Sequence, residues 1–535
     1  MITGLRLVMY FSMAFLMLGY SAAYASDAAS KCQNLYLLSD LDHAVEPGVI
    51  IPASGEIPTH CQVRGVIDGS IRFEVSMPLE GWEGRLMFLA HGGNSGRIGN
   101  TKALMKDGFA GATTNSGHDE GPNSSSFVRD HNALINFGFR AVHLSTVVAK
   151  KVIGVFYGEA VDHAYIQGCS GGGRSALMEA LRFPDDYDGV IAGAPALGWI
   201  NSIVPWGIAV SRLQQKHPLT PESLTLLAAN SRQKCDRLNG LEDGLISSPQ
   251  ACTLEVLALG DLACADATAQ GCLTTGQIET ARFIYTGMTD DAGRVVYNGI
   301  YPGDEDQGDW MMWVTGVPGQ ASSAPGSPLT AYEAMGTMLR DLSHDDPTFD
   351  LQAFHPIEDQ AALARVAAPI ELPAPDFTRF RKLGGKLIIY HGWQDVPLRS
   401  RDTIDFLHRA VDLSGGRKAM DAFSRIYMVP NMLHCAGGTG GWAADYIGPM
   451  VDWVERGRAP EGLVGTNPGI TNWFEALAAM QGAESADWYG SVMRAGAAKD
   501  PATWSTRLLC PYPQVARYEG SGDIDDAESY QCRME

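Results

Sequence analysis

Short apolar runs and amphipathic stretches alternate in two parts of this chain, separated by a part in which no such rhythm holds. Arg85 to Ala90 (Arg-Leu-Met-Phe-Leu-Ala) is apolar along almost its whole length. That suits a strand covered on both faces better than one with a wet side. Ala164-Tyr165-Ile166 reads the same way, and the Ala-, Leu- and Met-rich run from Ser175 to Leu181 predicts a helix that Pro184 stops. Strand and helix signals keep alternating to about Pro195. They return with a helix over Phe377 to Leu383, a buried strand over Lys386 to Tyr390, a strand over Arg425 to Val429 and a helix over Val451 to Arg456. The pattern predicts an α/β fold with a mostly parallel central sheet and helices on both faces.

From Trp199 to about residue 370 the alternation stops. Clusters of Pro, Gly and Ser, four cysteines and several aromatics, Trp310 and Trp313 among them, fill this stretch. It is expected to be a large insertion, a lid over the working edge of the sheet. The organisation expected is 26–198 for the first part of the core, 199–370 for the lid and 371–535 for the second part. Residues 26–80 open on a loop-rich segment holding Cys32 and Cys61.

The first residues read differently again. Arg6 is followed by a twelve-residue, mostly apolar run from Leu7 to Leu18 and then by Ala23-Tyr24-Ala25. This is the pattern of a signal peptide over 1–25, too short to span a bilayer. The mature chain is expected to be secreted or periplasmic. Its 40 Lys and Arg against 61 Asp and Glu give a net charge of −21, which argues against nucleic acid and anionic membrane surfaces as partners. Export also gives meaning to the ten cysteines, an even number suited to disulfides. Cys235–Cys252, Cys264–Cys272 and Cys510–Cys532 would close short loops, but spacing alone leaves the connectivity open.

The chemistry concentrates at Gly168-Cys169-Ser170-Gly171-Gly172, placed between a strand and a helix. This is the Gly-x-Ser-x-Gly nucleophile elbow, in which neighbours without side chains allow a sharp turn and the helix N-terminus favours an oxyanion. A plain glycine-rich turn would read the same without its flanks. A serine hydroxyl needs a base, and the base an orienting acid, in the order Ser, acid, His. Asp395 follows the Lys386–Tyr390 strand directly, and His434 lies one strand later in a glycine-rich loop. Asp402 and Asp405 fall on a helix-like run and are expected to be solvated surface residues. His391 competes as base, but it precedes the acid and ends the same strand, so it is assigned to substrate binding. The oxyanion amides expected are Gly171 and, in His91-Gly92-Gly93, Gly93 or Gly92. Cys169 precedes the serine and Cys435 follows the histidine, so a bond between them would clamp both loops.

These residues resemble the tannase and feruloyl esterase family of α/β-hydrolases, marked by a Cys before the serine and a Cys after the histidine. The resemblance spans nearly all of the chain after the leader. It implies the pairs Cys32–Cys61, Cys169–Cys435, Cys235–Cys252, Cys264–Cys272 and Cys510–Cys532. It also implies a structural calcium ion in the lid, on the side chains of Asp236, Asn239 and Asp243 and the carbonyls of Leu241 and Leu245. Asn239 stands where the family often has Asp, one charge fewer. From the residues alone, Asn239-Gly240 and Asp243-Gly244 also read as two turns. The expectation is an exported serine esterase acting on small aromatic esters, with a galloyl, hydroxybenzoyl, feruloyl or terephthaloyl acyl group. Arg340 is a candidate for a substrate carboxylate, against a plain surface arginine. The rival readings are a binding module on a hydrolase scaffold, a thiol enzyme using Cys169 and a serine exopeptidase.

Overall fold

Strands with apolar residues on both faces need cover on both faces, and the computed structural model provides it. It describes residues 27–94, 96–119, 125–266, 269–316, 348–350, 353–355, 357–359, 363, 367–480 and 486–534. The first strands in chain order are β1 (His43–Val45), β2 (Val49–Ile51), β3 (His60–Ile67), β4 (Ile71–Pro78), β5 (Arg85–Leu89), β6 (Phe109–Thr114), β7 (His163–Cys169) and β8 (Gly189–Gly193). A hairpin follows, β9 (Gly287–Thr289) with β10 (Val295–Asn298), and then β11 (Lys386–Gly392) and β12 (Ser424–Val429). All but the hairpin join one ten-stranded sheet in the order β1-β3-β4-β6-β5-β7-β8-β11-β12, with β2 also paired to β3.

From β6 to β12 every pairing is parallel. The opening segment is more regular than expected. Its strands pair antiparallel with one another and with β6, and β3 alternates buried and wetter positions as an outer strand should.

The faces of the sheet carry separate clusters. Phe88, Ile166, Val190, Leu387 and Ile389 pack with Val148, Ile153, Leu177 and Ala180 of the helices Ala141–Tyr157 and Gly171–Arg182. The alternate positions Met87, Leu89, Tyr165, Ile191, Ile388 and Tyr390 pack with Met450 and Trp453 of the helix Ile447–Arg456. Burial of each large side chain contributes about 1.5–3 kcal/mol.

Between the neighbouring strands β8 and β11 the chain leaves the sheet. It forms the helices Val204–Lys216, Pro221–Cys235 and Thr275–Thr286. Their starts follow from the sequence. Thr220 caps Ser223 N with Pro221 next in line, and Thr274 with Gln277 makes a capping box. Trp206, Leu227, Ala281, Ile284, Trp310 and Val314 form a core for this insertion that is shared with Val396 and Leu398 from the loop after β11.

Ten cysteines form five disulfides, Cys32–Cys61, Cys169–Cys435, Cys235–Cys252, Cys264–Cys272 and Cys510–Cys532. The signal peptide expected over 1–25 lies outside the described residues. Among the described residues no helix is long and apolar enough to cross a membrane.

Candidate active site

The parallel strands place their carboxyl ends side by side, and the residues that follow them meet there. Ser170 sits between β7 and the helix Gly171–Arg182 with φ 64° and ψ −123°, a conformation that strains any residue with a Cβ. Hydrogen bonds on both sides hold it. Ser170 N donates to Gly193 O at 3.0 Å, and Ser170 O accepts from Arg174 N at 3.0 Å and Ala196 N at 3.2 Å. Glycine is required around it, since a Cβ on Gly172 would lie 2.4 Å from Ala90 O.

Gly392 ends β11 against the loop that follows β12, where a Cβ would lie 2.1 Å from Met432 O. That contact brings the two loops together. His434 Nε2 lies 3.1 Å from Ser170 Oγ, and His434 Nδ1 lies 2.8 Å from Asp395 Oδ2. Asp395 Oδ1 accepts from Leu398 N at 2.8 Å. Asp395 is fully buried and His434 nearly so. Burial alone would raise the Asp395 pKa, but the charge of His434 and hydrogen bonds from His391 and His434 outweigh it and hold the carboxyl below its usual value. For His434, burial alone would lower the pKa. The charge and hydrogen bond of Asp395, with the charge of Asp309, reverse this and hold it above the ordinary imidazole value.

A base must be unprotonated to accept a proton. Activity that depends on His434 is therefore expected to fall as pH drops through a pKa above about 6.5. An acid limb of kcat/KM centred below about pH 6 would contradict this assignment of the base.

His391 does not line a cleft, contrary to the expectation of a substrate-binding residue. It is fully buried behind the acid. Its Nε2 lies 2.6 Å from Leu398 O and 3.3 Å from Asp395 Oδ2, and its Nδ1 lies 2.8 Å from Thr403 Oγ1. As the end of a central strand, its side chain turns into the sheet's cover. Asp402 also departs from the solvated role expected of it. It accepts from the fully buried Arg399 at 2.7 Å and, with Asp405, from Asn298 Nδ2 at 2.8 Å.

On the other side of Ser170, the loop after β5 approaches the helix start. A Cβ on Gly171 would lie 2.8 Å from Gly93 O and 3.2 Å from Gly93 N. Among the described residues neither the Gly171 nor the Gly93 amide donates a hydrogen bond. Gly92 lies in the same turn, and Gly93 has φ 59°. His91 anchors the loop through Nε2, 2.8 Å from Thr113 Oγ1. Burial drives its pKa down to about 4, so it is neutral.

Rings surround the serine and the histidine. Trp313 meets His434 edge to face at 6.0 Å, Trp199 packs on Gly171, and Trp473 Nε1 donates to His434 O at 2.8 Å. The Cys169–Cys435 bond joins the two loops, with Cα atoms 6.1 Å apart. Cys169 has no thiol to offer, which removes the reading of a cysteine nucleophile. Arg340 lies outside the described residues.

Buried acids from the insertion were missed in the sequence. Asp304 accepts from Thr439 N at 2.7 Å, Glu305 from Ser231 Oγ and Tyr285 OH at 2.7 Å each, and Asp309 from His434 N at 3.3 Å. The available signal was the acid-rich run Asp304-Glu305-Asp306-Gln307-Gly308-Asp309 directly before Trp310.

The loop expected to hold calcium offers hard oxygens. Asp236 accepts from Asp243 N and Gly244 N, Asn239 Oδ1 from Leu241 N and Asp243 Oδ1 from Leu245 N. The Leu241 and Leu245 carbonyls accept no hydrogen bond among the described residues. Burial raises the Asp243 pKa despite the Arg507 guanidinium 3.4 Å away, and that guanidinium is shared with Asp525. Two carboxylates, one amide oxygen and two unengaged carbonyls are donors suited to calcium.

Residues 56–533 match the family model described as tannase and feruloyl esterase. A mono(2-hydroxyethyl) terephthalate hydrolase of Piscinibacter sakaiensis is 29% identical, over 90% of this chain and 86% of that protein. A probable feruloyl esterase B-2 of Aspergillus flavus is 30% identical, over 76% of this chain and 80% of its own. The crystal structure of feruloyl esterase B from Aspergillus oryzae superposes with a TM-score of 0.78 at 25% identity, covering 95% of this chain and all of that one.

Proposed function

The chain belongs to the tannase and feruloyl esterase family and is a carboxylic ester hydrolase, and on that premise we propose that it cleaves esters of aromatic acids through an acyl-enzyme on Ser170. The observation that carries the reading is the line of hydrogen bonds from Ser170 Oγ through the His434 imidazole to Asp395. Ser170 Oγ attacks the acyl carbon and its proton passes to His434 Nε2. Asp395 accepts from His434 Nδ1 and stabilises the imidazolium. The amides of Gly171 and Gly93 (or Gly92) face the oxyanion, where loss of one such donor typically costs about 2.7–4 kcal/mol of transition-state stabilisation. The alcohol leaves with the proton from His434. Water then repeats the sequence, releasing the acid and restoring Ser170.

The aromatic preference is supported by Trp199 and Trp313 beside the reacting pair and by the aromatic acyl groups in the relatives' names. It is tested by comparing kcat/KM on feruloyl, galloyl, hydroxybenzoyl and terephthaloyl esters with acetyl and butyryl esters of the same alcohols. A preference for the short aliphatic acyl groups would refute it. Little hydrolysis of matched amides is expected, which separates the esterase from an exopeptidase.

Calcium in the insertion belongs to the same proposal. Asp236, Asn239 and Asp243 would hold it with the Leu241 and Leu245 carbonyls, and its charge would tie the loop together without entering the reaction. At a hundredfold excess over Kd such an ion stabilises by about 3 kcal/mol. Dialysis against a chelator is expected to lower Tm by a few degrees, and calcium to restore it. Asp243→Asn should blunt that response. A native Tm indifferent to both treatments would eliminate the ion. Export is part of the reading as well, supported by the apolar run at residues 7–18 and five disulfides.

A further inference from the structure

We propose that Asp309, carried by the insertion, is a positioning residue that fixes the His434 backbone relative to the Asp395 loop and so makes the triad's geometry depend on the docked lid. The proposal rests on the reading of Ser170, Asp395 and His434 as the reacting groups. Its basis is one carboxyl oxygen shared by two loops. Asp309 Oδ2 accepts from His434 N at 3.3 Å and from Val396 N, the residue after the acid, at 3.4 Å. Asp309 is fully buried.

The loop around His434 needs such a tie. Asn431 and Cys435 have positive φ values of 48° and 63°, and Gly437, Gly438, Gly440 and Gly441 follow. Strained backbone of this kind persists only where its surroundings over-determine it. Asp395 orients the imidazole ring but does not hold the peptide that carries it. The His434 backbone is held on both sides, its N–H by Asp309 and its C=O by Trp473 Nε1 at 2.8 Å.

Asp309 is itself held from the lid side. Glu305 is bonded to Ser231 and Tyr285 of the lid helices, and Trp310 is buried against Tyr285, with ring centroids 5.8 Å apart. Asp304 ties the same strap to Thr439, beyond His434. One short segment therefore connects the insertion's core to the base loop and the acid loop together. Asparagine has the same shape as this carboxyl and keeps one oxygen that can accept from both the His434 and Val396 amides.

The test compares Asp309→Ala with Asp309→Asn in steady-state kinetics on one aromatic ester, with thermal melts and Ser170→Ala alongside. The alanine variant is expected to lose about 10²-fold in kcat with KM changed less than about threefold, since small misplacements of reacting groups cost that much. The asparagine variant keeps an oxygen for both amides and is expected to stay within about fivefold of native. An alanine variant within about threefold of native kcat would overturn the proposal. So would a loss carried by KM, or an asparagine variant that melts like the native protein yet is as inactive as alanine. Should the alanine variant not fold, the asparagine variant decides alone: a native melt with native kcat upholds the proposal and a native melt with lost kcat overturns it. Full activity in Ser170→Ala would instead refute the underlying triad.

Discussion

Replacement of Ser170 by alanine is expected to lower kcat for ester hydrolysis by about 10⁴–10⁶-fold with little change in fold or melting temperature. The size follows from the geometry. Ser170 Oγ lies 3.1 Å from His434 Nε2, at the tip of a strand-to-helix turn with φ 64°. Its removal would leave substrate binding and the amides proposed for the oxyanion, contributions that in a serine hydrolase account for a residual rate over water of about 10³–10⁴. Alanine at 170 retains the Gly193 and Arg174 backbone bonds, so stability has no reason to fall. A fluorophosphonate probe should label the native protein at Ser170 and fail on the variant. Hydrolysis by Ser170→Ala at more than a tenth of the native rate would end the acyl-enzyme mechanism, and absent labelling of the native protein would favour a binding module on a hydrolase scaffold.

Removal of the Cys169–Cys435 bond in a double alanine variant should have the next largest effect. The bond closes a loop with a sequence separation of 266 residues. In the chain-entropy model its loss costs about 5 kcal/mol of stability. Activity should fall as well, by about tenfold or more, because the bond joins the residue before Ser170 to the residue after His434. Strained backbone lies at or beside both attachment points: Cys435 has φ 63°, and Ser170, next to Cys169, has φ 64°. Relaxation at either end moves a reacting side chain. Denaturant titration and steady-state kinetics on the purified variant measure the two effects separately. Loss of stability below about 1 kcal/mol together with native kcat would show that packing alone holds the loops.

Much of this arrangement was legible in the residues. Strands covered on both faces announce themselves by unbroken apolar runs, as in β5, β7 and β11, and Gly168 to Gly172 marks a turn that only small neighbours permit. The order of Ser170, Asp395 and His434 along the chain could be read because each follows a strand, and parallel strands bring such positions to one edge. The roles of His391 and Asp309 were not legible. His391 sits in the same short run as Asp395, yet the turn between them sends one ring behind the sheet's edge and one carboxyl toward His434.

Local pattern thus determined the strands, the elbow and which loops hold the chemistry, because periodicity and steric freedom depend on near neighbours. The pairing of Cys169 with Cys435 was suggested by their places beside Ser170 and His434 and by the family resemblance, and the structure forms it; tertiary structure alone decided the burial of His391 and the contact of Asp309 with His434 N across 125 positions. Such contacts depend on where the insertion docks on the sheet, and packing between distant segments leaves no periodic trace in either one.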